Sequence, residues 1–335
     1  MYEWGAEIRK SVTMSKIPLL VDCDPGLDDA IAILLAIASP DEIDILGITT
    51  VFGNGPAERT QKNARRICQL TGRTDIPVTQ GCPRPMHLTE GRDEQGDTEH
   101  VEGIHGDTGL GGLCLPDPTM PLNPMHSVDF IIQTIKNSDR KITLTPTGSM
   151  TNVACALIMA PEIADNIEKI VLMGGVIGTG NITPAAECNF YTDPHAAAVL
   201  ITSGIPIVMM GLDITRQVQT TEAWLAEIKA MNTPVSQAVV DMLSYYHRPD
   251  AYLEPGVTGG VLHDPNVIGY LLNPELYSGR NVYVEVSTSN DITAGRSTVD
   301  WWNRLGKKPN ALVIDQVDSD AFFKMLTERL ARLGC

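Results

Sequence analysis

The chain has 335 residues, 43% of them apolar and 20% charged, with a formal net charge of −16. That composition excludes a disordered or membrane-embedded chain, since no run approaches the roughly 18 apolar residues of a membrane span. The acidic balance also argues against a surface that tracks phosphates, so nucleic acid is not an expected partner.

Residues 1–16 hold acidic groups and no apolar stretch of the kind a secretory leader needs, so they read as a loose tail ahead of a single domain over 17–335. Met14 is an alternative start to Met1. Ile17–Cys23 reads as a buried strand, and Leu27–Ala38, after the Pro25-Gly26 turn, as a helix rich in Ala, Ile and Leu. Strand Ile43–Val51 and helix Ala57–Leu70 follow, then a Gly-, Pro- and charge-rich stretch over Gly81–Pro124. Next come helix Ser127–Lys136, strand Lys141–Thr145, helix Thr151–Met159, strand Lys169–Met173, helix Pro194–Ile201 and strand Ile205–Met210. Helices Thr221–Met231 and Val235–Tyr246, irregular Arg248–Gly260, strands Val282–Val286 and Ala311–Ile314, and helix Ser319–Leu333 complete the series. Strands alternating with helices predict an α/β domain, with an open, mostly parallel sheet and helices on both faces. Loops as long as Gly81–Pro124 are usually functional, and Arg248–Gly260 is placed to cover a site near His263. Seven well-separated cysteines without a C-x-x-C pair predict reduced thiols and a cytoplasmic protein.

Val21-Asp22-Cys23-Asp24-Pro25-Gly26-Leu27-Asp28-Asp29-Ala30 places four carboxylates where a buried strand gives way to a helix. Open α/β sheets bind ligands there. One or two Asp would serve to cap the helix and complement its dipole, but four exceed that need. Crowded carboxylates raise one another's pKa, and a divalent cation is the common way to hold them ionised together. Oxygen-only ligands without interleaved Cys or His point to Ca²⁺ or Mg²⁺.

The D-x-D-P-G-x-D-D-A block resembles the signature of the nucleoside hydrolases, the inosine-uridine preferring nucleoside N-ribohydrolase family. The resemblance continues through Gly53-Asn54, Pro146-Thr147-Gly148 with Thr151-Asn152, Met173-Gly174-Gly175, Asn181 to Asn189, and His263-Asp264. It implies the family's Rossmann-like fold, a ribonucleoside substrate, a Ca²⁺ cofactor, a homodimer or homotetramer and a role in nucleoside salvage. By resemblance, Asp24, Asp29, Asp264 and the Thr147 carbonyl hold the ion, with Asp24 also the general base toward the attacking water. Asp22 supports that site from behind. Asp28, Asn54, Met173, Asn181, Glu187 and Asn189 match the ribose-binding set, and His263 matches the position from which members with purine activity protonate the leaving base, a hint that inosine-type substrates are handled. His105 lies where the family has a His-Gly segment beside the site. Two departures stand out: Asp107-Thr108 interrupts the loop pattern, and Cys188 replaces a frequent aromatic.

Base-contact candidates are Tyr246, His247, Tyr252 and the Trp301-Trp302 pair, none of them assigned. Gly174–Gly180 lacks both G-x-G-x-x-G and a Gly-Lys-Ser/Thr, so no phosphate cradle is expected, which favours nucleosides over nucleotides. An aspartate-type phosphohydrolase would need a Lys near the metal, and no motif supplies one. A nucleoside-binding protein without catalysis would be signalled by loss of Asp24 or Asp264, and both are present.

Overall fold

The computed structural model describes residues 15–87, 103–248 and 257–334. Most of the expected tail, and Tyr252 with it, lies outside these residues. The main sheet has eight strands: β1 (Ile17–Cys23), β2 (Ile43–Thr50), β3 (Val78–Gln80), β4 (Ile142–Pro146), β5 (Ile167–Met173), β6 (Ile207–Met210), β7 (Tyr277–Val282) and β10 (Ala311–Val317). Their order is β3-β2-β1-β4-β5-β6-β10-β7, parallel throughout except that β7 runs antiparallel to β10.

Side chains alternate across this sheet and feed two cores. Leu19, Val21, Val171, Met173 and Met210 face one, while Leu20, Ile170, Leu172 and Met209 face the other. Strands covered on both faces need apolar runs, which residues 19–21 of β1 and 170–173 of β5 supply. Helix α1 (Leu27–Ile37) is buried along its whole length, which explains why it is apolar all round. Burial of a side chain such as Leu34 contributes about 2 kcal/mol.

The strand sequence changes direction at β1, whose neighbours β2 and β4 lead to opposite halves of the sheet. Chains leaving the carboxyl ends of β1 and β4 therefore diverge and open a crevice, the usual ligand site of such sheets. Asp22 pairs in register with Thr49 on one side and Pro146 on the other, so the aspartate motif and Thr147 emerge side by side.

Two expectations change. The run Val282–Val286 is the junction of β7 with β8 (Val284–Val286), which pairs with β9 (Ser297–Val299) in a separate sheet. Edge strand β7 carries exposed Ser278, Gly279, Arg280 and Asn281, so it lacked an apolar signal. Helix Pro265–Leu272 was not expected, because Gly269 weakens the helical pattern. The Tyr277 hydroxyl and the Phe322 ring occupy the space a side chain there would need. Among the described residues, no helix is long and apolar enough to cross a membrane.

Candidate active site

A cleft enclosing about 920 Å³, solvent at its mouth included, lies over the crevice. That is ample for a small-molecule ligand. Its walls include Asp28, Asn54, His105, Thr147, Met173, Asn181, Glu187, Asn189, His263 and Asp264. The residues expected to bind sugar and base thus converge from distant stretches of sequence. Asp24 and Asp29 lie buried beside them, below the surface of the cleft.

Asp28 and Asp29 occupy the first turn of α1, and Asp264 immediately precedes helix Pro265–Leu272, which packs on α1. Carboxylate oxygens of Asp28, Asp29 and Asp264 lie within 4.8 Å of one another. Asp29 is held from three sides: the Gly26 N–H (3.1 Å) and Asn54 Nδ2 (3.0 Å) donate to Oδ2, and Thr147 Oγ1 donates to Oδ1 at 2.8 Å. The Asn54 N–H donates to Asp24 Oδ2 at 2.6 Å, but buried Asp24 Oδ1 has no hydrogen-bond partner. Glycine is required beside Asp24: a Cβ at Gly53 would sit 1.9 Å from Oδ2, and one at Gly148 would sit 2.6 Å from Oδ1.

Burial pushes these carboxyls toward the neutral form. Asp24 is raised further by Asp29, and Asp264 by Asp28 and Asp29. Asp29 rises to about 6 through burial and then repulsion from Asp28, and burial likewise raises Asp28. A divalent cation among them reverses that tendency. The clustered oxygens and the unpartnered Asp24 Oδ1 fit a hard ion coordinated by oxygen. Asp22 sits behind: its Oδ1 accepts from Thr49 Oγ1 (2.7 Å) and Asn152 Nδ2 (2.8 Å), and burial raises it to about 7.

Next to the cluster, Asn189 Nδ2 donates to the Thr147 carbonyl at 2.6 Å and the Met173 carbonyl at 3.1 Å. Glu187 accepts from the N–H groups of Gly175, Asn189 and Phe190, and Asn181 Oδ1 accepts from the Cys188 N–H. The Gly174–Gly180 run forms no phosphate cradle. Asp213, Arg216 and Arg296 side chains occupy its backbone donors and acceptors.

His105 Nδ1 accepts from the Leu27 N–H at 3.2 Å, tying the long loop to the aspartate turn. The His263 N–H donates to Asp28 Oδ2 at 3.2 Å, and Nδ1 lies 2.8 Å from Thr215 Oγ1. Of the base-contact candidates, Tyr246 lines the cleft, whereas His247 bonds Thr220. The Trp301-Trp302 rings stack beneath Arg280 and are absent from the cleft lining. Sequence reasoning missed Ile104, Ile182, Val257 and Val261, apolar cleft residues in irregular segments without periodicity. Thr215 was missed as well; a single Thr after a strand carries no signal of its own.

The model of the inosine-uridine preferring nucleoside hydrolase family matches residues 19–324. The chain is 45% identical to an uncharacterized protein of Schizosaccharomyces pombe, over 94% of this chain and 99% of that one. It is 42% identical to the pyrimidine-specific ribonucleoside hydrolase RihA of Shewanella woodyi, over 93% of this chain and 97% of that one. A purine-preferring ribonucleoside hydrolase from Gardnerella vaginalis superimposes with a TM-score of 0.86 at 33% identity, over 95% of this chain and 99% of that one. The signature around Asp24, the strand order and the convergent cleft agree with these likenesses, and the chain belongs to the inosine-uridine preferring nucleoside hydrolase family.

Proposed function

We propose that this chain is a Ca²⁺-dependent ribonucleoside N-ribohydrolase, which cleaves the bond between ribose C1′ and the base to give free ribose and free base. The observation that carries the proposal is the floor of the cleft, where Asp28, Asp29 and Asp264 gather under walls furnished with Asn181, Glu187 and Asn189.

Asp24, Asp29, Asp264 and the Thr147 carbonyl would hold the ion, with Asp28 alongside. When bound, Ca²⁺ supplies Lewis acidity and coordination sites for oxygen. Asp24 takes a proton from the attacking water at Oδ1, the oxygen without a hydrogen-bond donor among the described residues. Asp28, Asn54, Asn181, Glu187 and Asn189 bind and orient the ribose, and Met173 packs against it. Nearby carboxylates stabilise positive charge as the glycosidic bond breaks. His263 passes a proton to the leaving base, and His105, in the cleft lining, contacts the base or the 5′ side of the nucleoside.

Pyrimidine ribonucleosides are the first substrates to test. The Shewanella woodyi relative named pyrimidine-specific shares 42% identity, against 33% for the purine-preferring structure. A cytoplasmic homodimer or homotetramer that feeds nucleoside salvage completes the proposal, on family likeness alone.

The test is ribose release from uridine, cytidine, inosine, 2′-deoxyuridine and uridine monophosphate, with Ca²⁺ and with chelator. Turnover of the ribonucleosides in Ca²⁺, but not of the deoxy or phosphorylated forms, is expected. Folded, Ca²⁺-loaded protein that releases ribose from none of them would defeat the proposal.

A further inference from the structure

His263 lies between two kinds of support. Its main chain is fixed by donation from its N–H to Asp28 and from the Leu262 N–H to the Val218 carbonyl at 2.9 Å. Neither contact sets the rotation of the imidazole, whose χ2 is intrinsically broad. The ring is met instead by Thr215, a buried residue of the short helix Leu212–Thr215 that follows β6, with Oγ1 2.8 Å from Nδ1.

The same turn grips the sugar side of the cleft. Asp213 accepts from the N–H groups of Ile177 (2.6 Å) and Gly178 (3.1 Å). Arg216 donates to the carbonyls of Thr179 (2.7 Å) and Gly180 (3.2 Å), just ahead of Asn181. A single helical turn therefore fixes the His263 ring relative to the segment that carries the ribose ligands.

We infer that Thr215 is a positioning residue for protonation of the leaving base: its hydroxyl engages His263 Nδ1, orients the ring and assigns proton exchange with the base to Nε2. The two imidazole nitrogens are distinct, and the hydrogen bond made by one sets the role of the other. The inference rests on the hydrolase proposal and adds a residue to it.

Thr215→Val keeps the shape and removes the hydroxyl; Thr215→Ala is the second variant should Val disturb the short helix. With uridine, kcat is expected to fall about tenfold, the worth of one hydrogen bond, while KM stays near wild type. Thr215→Ser restores most of the rate. With 4-nitrophenyl β-D-riboside, whose leaving group departs as an anion without a proton, the Val and wild-type rates are expected to coincide. On a His263→Ala background the substitution adds nothing, as expected of a residue that acts through His263. Equal losses on both substrates, an additive loss in the double variant, or unchanged kcat with uridine would each overturn the inference. Failure of the hydrolase proposal is distinguishable, because it shows in the wild type as no ribose from any ribonucleoside, and it overturns the inference too.

Discussion

The Thr147 hydroxyl, one residue past β4, donates to Asp29 Oδ1 in the first turn of α1 across 2.8 Å, joining the two connections that leave β4 and β1 at the switch in strand order. One polar bond thus couples the sheet's connectivity to the carboxylate cluster.

The first prediction concerns the ion. Buried carboxylates that repel one another are stabilised by a cation that binds only the folded chain, so Ca²⁺ at a hundredfold over its Kd should add about 2.7 kcal/mol of stability. Thermal unfolding in chelator and in Ca²⁺ measures this. Asp29→Asn and Asp264→Asn should shrink the shift, and a wild-type melt that Ca²⁺ leaves unmoved rules the site out.

Asp24→Asn separates catalysis from folding. The amide removes the proposed base, so ribose release should fall by at least about 100-fold. Without Ca²⁺, the variant should melt no lower than wild type, because an acid pushed up by burial and then by Asp29 is replaced by a neutral group. Retained turnover would remove Asp24 from the role of base.

Much of this was legible in the sequence, for physical reasons. A strand covered on both faces needs an apolar run such as residues 19–21 of β1, and four aspartates within eight residues at and after its end exceed what helix capping needs, which points to a cation. Helices Ala57–Leu70 and Thr151–Met159 emerged with their observed bounds because their periodicity is local. Edge strand β7 and helix Pro265–Leu272 were hidden because they depend on tertiary partners: Ala311–Val317 pairs with the one, and Tyr277 and Phe322 crowd Gly269 in the other. The cleft-lining positions proposed to bind ribose came from resemblance, since an isolated Asn such as Asn181 carries no period. Thr215 could not be found either way without its 2.8 Å approach to His263.

Asp193 tests the scaffold behind the site. It is fully buried, caps helix Pro194–Ile201 by accepting from the Ala196 N–H at 3.1 Å, and accepts from the Met86 N–H (2.8 Å) and Thr151 Oγ1 (2.7 Å). Asp193→Ala strands the buried Ala196 N–H and Thr151 hydroxyl and releases the Met86 N–H, and should cost roughly 2 to 3 kcal/mol. Urea unfolding measures the loss; a variant within about 0.5 kcal/mol of wild type would show that water replaces the carboxylate.

Glu187 gives a pH signature with a definite sign. Burial pushes its carboxyl from 4.5 up to about 7, although the N–H groups of Asn189, Gly175 and Phe190 pull it back. The folded chain therefore holds a proton that the unfolded chain releases between pH 4.5 and about 7. The associated stability is fully present below 4.5 and is lost as pH rises through about 7. The loss amounts to at most roughly 3 kcal/mol. Glu187→Gln abolishes that titration, so the variant should gain on wild type as pH rises from about 5 to 8, whatever its offset at the acid end. Urea unfolding at both pH values, in saturating Ca²⁺ to keep the aspartates ionised, reads the difference. Parallel pH profiles for the two proteins would mean that the three N–H donors outweigh burial and hold Glu187 ionised throughout.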